Sequence, residues 1–118
     1  MTTLTAEPQL AVDCCAPLMG DGLSPEEAGA TAALFKALSD PTRVRIVNLL
    51  AGSLEPVCLC DMNSGFDLSQ PTLSHHLKKL VTAGLLNREQ RGTWAFYSIN
   101  EEAVRRLSDA VGSREVAS

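Results

Sequence analysis

Apolar residues recur at helical spacing along this chain as far as Gly84 and alternate with polar ones immediately afterwards. The first helical stretch, "SPEEAGATAALFKAL", opens with Ser24 as N-cap, Pro25 at the first helical position and Glu27 completing a capping box. It puts Ala28, Thr31, Phe35 and Leu38 on one face. A turn at Asp40-Pro41 restarts the pattern, and Val44, Ile46, Val47, Leu49 and Leu50 carry a second helix to Gly52. A short third helix is predicted over about 57–64. The fourth, in "DLSQPTLSHHLKKLVTAGLL", opens at Ser69, accommodates Pro71 in its first turn and ends at Gly84.

"LLNREQRGTWAFYSI" then reads as two short strands around Arg91-Gly92, with Trp94, Phe96 and Ser98 on one face and Ala95, Tyr97 and Ile99 on the other. "EEAVRRLSDAV" closes the pattern as a helix with a Val104, Leu107, Val111 stripe. Residues 1–23, with Pro8, Pro17, Gly20 and Gly22 and no sustained period, read as a flexible N-terminal arm. Residues 24–112 form the predicted domain, and 113–118 a C-terminal tail. The predicted class is mainly α with a β-hairpin wing: four helices, a hairpin and a helix are the order of a winged helix-turn-helix, whose second motif helix enters the DNA major groove.

At about 100° per residue, Leu73, Leu77, Leu80 and Val81 of the fourth helix cluster in one direction and leave Thr72, His75, Lys78, Lys79 and Thr82 on the far side. The N-terminal half of such a helix meets base edges. Gln70, Thr72, Ser74 and His75 are therefore candidates for base or nearby phosphate contacts, and Lys78 and Lys79 for phosphate. A polar face with two lysines reads, taken alone, as a solvated surface; Arg88 and Arg91 on the wing turn the reading towards DNA. His76 lies at the flank of the core, where a hydrogen-bonded boundary role is expected. His75 points away from the core and has no histidine partner four residues on.

Composition adds one domain's worth of chain, 118 residues of which 45 % are apolar, enough for a single core. The net charge of −4 does not advertise nucleic-acid binding. Its distribution does, because residues 69–93 carry Lys78, Lys79, Arg88 and Arg91 against a single acid, Glu89. "MTTLTAEPQL" lacks the basic start and apolar run of a secretory signal, and no stretch approaches the ~20 apolar residues that span a bilayer, so no membrane partner and a cytoplasmic location are expected. In a reducing compartment four cysteines read as metal-binding, redox-active or buried thiols.

These cysteines form two pairs, Cys14 with Cys15 and Cys58 with Cys60. Neighbouring residues sit about 3.8 Å apart at Cα, under the usual disulfide span of about 4.4–6.8 Å, so a Cys14–Cys15 bridge would be strained. On a regular helix Cys58 and Cys60 diverge by about 200°, and both can bind one ion only if Cys58 occupies the frayed start of the helix, after Pro56. A soft-ion site using both pairs and a reversible thiol redox switch are the readings that remain, with one thiol as core filler the bland alternative. An enzyme is not expected: no cysteine sits in a phosphate-cradling loop and neither histidine has a nucleophile placed by motif.

Through "LFKALSDPTRVRIVNLL", "VCLCDM", "LSQPTLSHHLKKLVTAGLL" and "GTWAFYSI", residues of about 32–111, the chain resembles the ArsR/SmtB family of metal- and metalloid-responsive repressors. The resemblance implies a homodimer, built from the first and last helices, that blocks a promoter on double-stranded operator DNA until an ion binds. The apolar stripes at the two ends of the domain independently suit such an interface. The family's C-x-C-D signature matches Cys58, Cys60 and Asp61, but the third cysteine of its best-known arsenic sensors is replaced here by Asn63. The resemblance thus implies that arsenite or antimonite, which takes three thiolates, would draw a ligand from Cys14 or Cys15, as cadmium and lead sensors of the family add arm cysteines, often from the opposite subunit. No organic cofactor is implied. Residues 101–118 hold no histidine, so the family's zinc, nickel and cobalt type of site is not expected. A soft-ion carrier without DNA binding would need the cysteines but not the basic helix and wing.

Overall fold

In the computed structural model residues 22–112 are described; Cys14, Cys15, nearly all of the expected arm and the expected tail lie outside them. Helix α1 spans Pro25–Ala37. Its capping box is complete: the Glu27 N–H donates to Ser24 Oγ at 3.1 Å and the Ser24 N–H to Glu27 Oε1 at 2.9 Å. Helix α2 spans Pro41–Ala51, with Asp40 Oδ1 accepting from the Thr42 and Arg43 N–H groups. Strand β1, Val57–Cys58, leads into helix α3, Leu59–Gly65. Helix α4, Gln70–Ala83, starts at Ser69 and stops at Gly84, whose φ of 94° is the left-handed conformation glycine adopts without strain. Strands β2, Leu86–Arg91, and β3, Trp94–Ile99, form the wing, and helix α5, Glu101–Ala110, is capped by Asn100 Oδ1.

The sheet order is β1-β3-β2 and both pairings are antiparallel. Its core face presents Ala95, Tyr97 and Leu86 to a cluster in which Leu34, Ile46, Leu50, Met62, Leu73, Leu77, Leu80 and Leu85 are buried. Removing each such side chain from water contributes about 1.5–3 kcal/mol. The alternation expected for β3 is observed, with Ala95 and Tyr97 buried.

Two expectations change, the inward face of α1 and the start of the third helix. The buried face of α1 is Thr31, Leu34 and Ala37, whereas Ala28 is exposed and Phe35 is 42 % exposed. α1 packs on α4 and α5, and their positions choose which of two adjacent apolar stripes turns inward. In α2, Ile46 and Leu50 are buried while Val44 and Leu49 remain exposed, since five apolar residues on one short helix cannot share a single face. The third helix starts later than predicted: Val57 and Cys58 pair with Tyr97 and Phe96, a strand contact with a segment far along the chain.

Candidate nucleic-acid interface and thiol site

Helix α4 is held against the body by Arg43. Its Nε–H donates to His76 Nδ1 at 3.2 Å, and its Nη1 donates to the Ala37 carbonyl at 3.3 Å, so one guanidinium joins α1, α2 and α4. His76 thereby takes the boundary role expected of it. On the other side of α4, His75, Lys78 and Lys79 are exposed. They line an open cleft of about 730 Å³ together with Lys36, Ser39, Arg43 and Thr82, and no carboxylate lines it. Lys36 and Arg43 were not legible as members of this basic surface, because α1 and α2 reach it only through tertiary packing.

The remaining candidates on α4 differ in freedom. Gln70 is exposed at the first position of the helix. The Thr72 hydroxyl accepts from Ser69 Oγ at 2.9 Å while its N–H donates back to that oxygen, tying Thr72 into the cap. Ser74 is half-buried.

On the wing, Arg88 and Arg91 are separated by an odd number of positions on β2, so they project from opposite faces. Arg88 Nη2 donates to Gln90 Oε1 at 2.7 Å. Arg91 is held more firmly: its Nε and Nη2 donate to the two Glu89 carboxylate oxygens at 3.1 Å, and its guanidinium carbon lies 4.4 Å from the centre of the Phe96 ring. The Arg91 hydrogen bond and charge hold the Glu89 carboxyl below its ordinary range, and Glu89 raises Arg91 in turn. Trp94 at the wing tip is 55 % exposed.

Cys58 is the N-cap of α3, with φ −71° and ψ 141°, and its Sγ accepts from the Cys60 N–H at 3.3 Å. The divergence expected of i and i+2 on a regular helix therefore does not apply to this pair. Cys58 is 6 % exposed and Cys60 exposed; both are free thiols. The neighbouring Cys58 thiol, then burial and the Asp61 carboxylate, push the Cys60 thiol above its ordinary value. Asn63, three residues on, has its Oδ1 buried without a hydrogen-bond partner. Among the described residues no three His, Cys, Asp or Glu side chains gather where they could hold an ion. Cys58 and Cys60 are thus two thiols of the chemistry that suits a soft ion.

The helix-turn-helix of α3 and α4, flanked by a hairpin wing and a carboxylate-free basic cleft, defines a winged-helix DNA-binding protein. Residues 40–88 match the model of the bacterial regulatory proteins of the arsR family. The arsenical resistance operon repressor of Bacillus subtilis is 41 % identical over 73 residues, covering 62 % of this chain and 69 % of that protein. A Staphylococcus aureus homolog of the cadmium resistance transcriptional regulatory protein CadC is 41 % identical over 90 residues, covering 74 % of this chain and 73 % of its own. Among solved structures, a homodimeric winged helix-turn-helix DNA-binding domain from Mycobacterium bovis superposes with a TM-score of 0.61 at 25 % identity, covering 77 % of this chain and 86 % of that one. The chain belongs to the arsR family of transcriptional regulators. No helix among the described residues is long and apolar enough to cross a membrane.

Proposed function

We propose that this protein is a homodimeric repressor that leaves its operator when Cys58 and Cys60, completed by Cys14 or Cys15, bind a thiophilic ion, trivalent arsenic or antimony first. The observation that carries the proposal is the placing of Cys58 and Cys60 together at the start of α3, with residues 66–69 alone between α3 and the DNA-reading helix α4. Ion binding at the start of α3 therefore acts close to the DNA-reading elements. A buried Cys58 and an exposed Cys60 leave the outer side of the pair open to a ligand arriving from the arm. The B. subtilis relative is named for arsenical resistance, which supports arsenic; the S. aureus relative supports cadmium as the second candidate, with lead alongside it.

Gln70 and His75 would reach base edges, with Thr72 and Ser74 nearby, while Lys78, Lys79, Arg88 and Arg91 neutralise phosphate. The dimer would bury the apolar side chains left outside the core on α1 and beyond α5, Phe35 and Val111, the latter 71 % exposed. The M. bovis domain, described as homodimeric, supports that assembly.

The test is a variant with Cys14→Ser and Cys15→Ser, assayed by gel shift on operator DNA. It is expected to bind DNA normally and ignore arsenite, because a hydroxyl is a hard ligand that does not replace thiolate sulfur. Release by arsenite that survives loss of both arm cysteines would refute the arm's part in the site.

A further inference from the structure

We propose that the outer face of the sheet carries the ion signal from Cys58 to the wing, with Phe96 as the positioning residue between the thiol and Arg91; this rests on the ion-released repressor proposed above. Opposed residues of an antiparallel ladder place their side chains on the same face, with Cβ atoms about 4.5–5.5 Å apart. Cys58 opposes Phe96, and Phe96 opposes Glu89. Arg91, two residues after Glu89, returns to that face and opposes Trp94. Cys58, Phe96, Glu89, Arg91 and Trp94 therefore share one surface of the sheet, while Tyr97, Ala95 and Leu86 on the other enter the core. The neighbouring residue agrees with this: Val57, which opposes Tyr97, packs against the core cluster.

The residues along this face follow one another across the ladder without a gap. Thiol and ring are cross-strand neighbours, the ring carries the Arg91 guanidinium at 4.4 Å, and Glu89 fixes that guanidinium through two hydrogen bonds. An ion on Cys58 replaces the thiol proton with a far larger atom beside the ring, and it draws on the sulfur that now accepts the Cys60 N–H. A shift of the ring unseats Arg91. Such a route acts on the wing and leaves the register of α4 on its bases alone. The ion should therefore lower phosphate affinity without altering base preference, and the salt slope should fall by about 0.9 for each phosphate that is no longer neutralised.

The experiment compares wild type, Phe96→Leu and Phe96→Tyr in the full-length chain with arsenite as the probe. Binding is read by protection of the thiols from a chromogenic disulfide reagent, the wing by emission of Trp94, the single tryptophan of the chain, and release by anisotropy of labelled operator. Wild type and Phe96→Tyr are expected to protect their thiols, change Trp94 emission and release DNA. Phe96→Leu should protect its thiols equally, yet show no emission change, and its arsenite-induced weakening, ~5- to 150-fold for couplings of this kind, should shrink to within about twofold. Should Phe96→Leu fail to fold by circular dichroism, Phe96→Met takes its place with the same expectation. A leucine or methionine variant that releases DNA like wild type overturns the relay alone. A wild-type protein that does not protect its thiols overturns the ion site itself and the relay with it.

Discussion

Arg43→Ala probes how α4 is positioned, and its effect can be worked out from two contacts. The guanidinium donates to His76 Nδ1 at 3.2 Å and to the Ala37 carbonyl at 3.3 Å, both part-buried. Hydrogen bonds from charged groups contribute about 1.5–3 kcal/mol each, and the long distances and partial burial favour the low end, so Arg43→Ala should destabilise by about 2–4 kcal/mol. His76→Ala loses one of the two bonds. The double variant isolates their pairing: if the contact is formed, the two single effects should exceed the double effect by about 0.5–3 kcal/mol. The assay is equilibrium urea unfolding followed by far-ultraviolet circular dichroism, at one protein concentration because dimerisation would otherwise shift the midpoint. Arg43→Lys should recover little, since an ammonium lacks the planar fork that reaches two acceptors on different helices. Additivity of Arg43→Ala and His76→Ala within about 0.3–0.5 kcal/mol would refute the claim that this pair joins α2 to the reading helix.

The DNA surface makes two contrasting predictions. Gln70→Ala should lose about 1–3 kcal/mol of affinity and relax base preference, whereas Lys36→Ala should weaken all sequences alike and reduce the salt slope by about 1. Salt-dependent anisotropy separates them, and an unchanged slope for Lys36→Ala would exclude the α1 side of the basic cleft from the interface. Phe35→Asp places a charge on the proposed dimer surface and should sediment as a monomer while keeping its helical circular dichroism; a persisting dimer would move the interface elsewhere. Acid stability should depend on Asp40. Burial opposes its charge, but the Arg43 and Thr42 N–H groups, with the Arg43 charge, outweigh it and hold the carboxyl below its ordinary 3.8. A lowered folded value stabilises above the unfolded one, and the contribution is lost as pH falls through the folded value. Asp40→Asn should therefore flatten the dependence of stability on pH below about 4, and a slope identical to wild type in acid titration would contradict the assignment.

Local chemistry was readable in advance. Ser24 and Glu27 close a capping box at the start of α1 with Pro25 at its first position, Ser69 and Gly84 bound α4, and the change of period after Gly84 marks the wing, because each signal involves groups only a few residues apart. The outward direction of His75, Lys78 and Lys79 followed from helical geometry with Leu73, Leu77 and Leu80 as reference. Tertiary structure decided the rest. Leu34 rather than Phe35 turns inward because α4 and α5 lie on that side of α1, a choice the apolar pattern of α1 leaves open. Lys36 joins the basic cleft for the same reason. Cys58 became a strand residue and helix cap, not part of a regular helix, because Phe96 offers a partner from a distant strand. Periodicity describes one segment at a time, whereas these choices are made by the free energy of bringing two segments together.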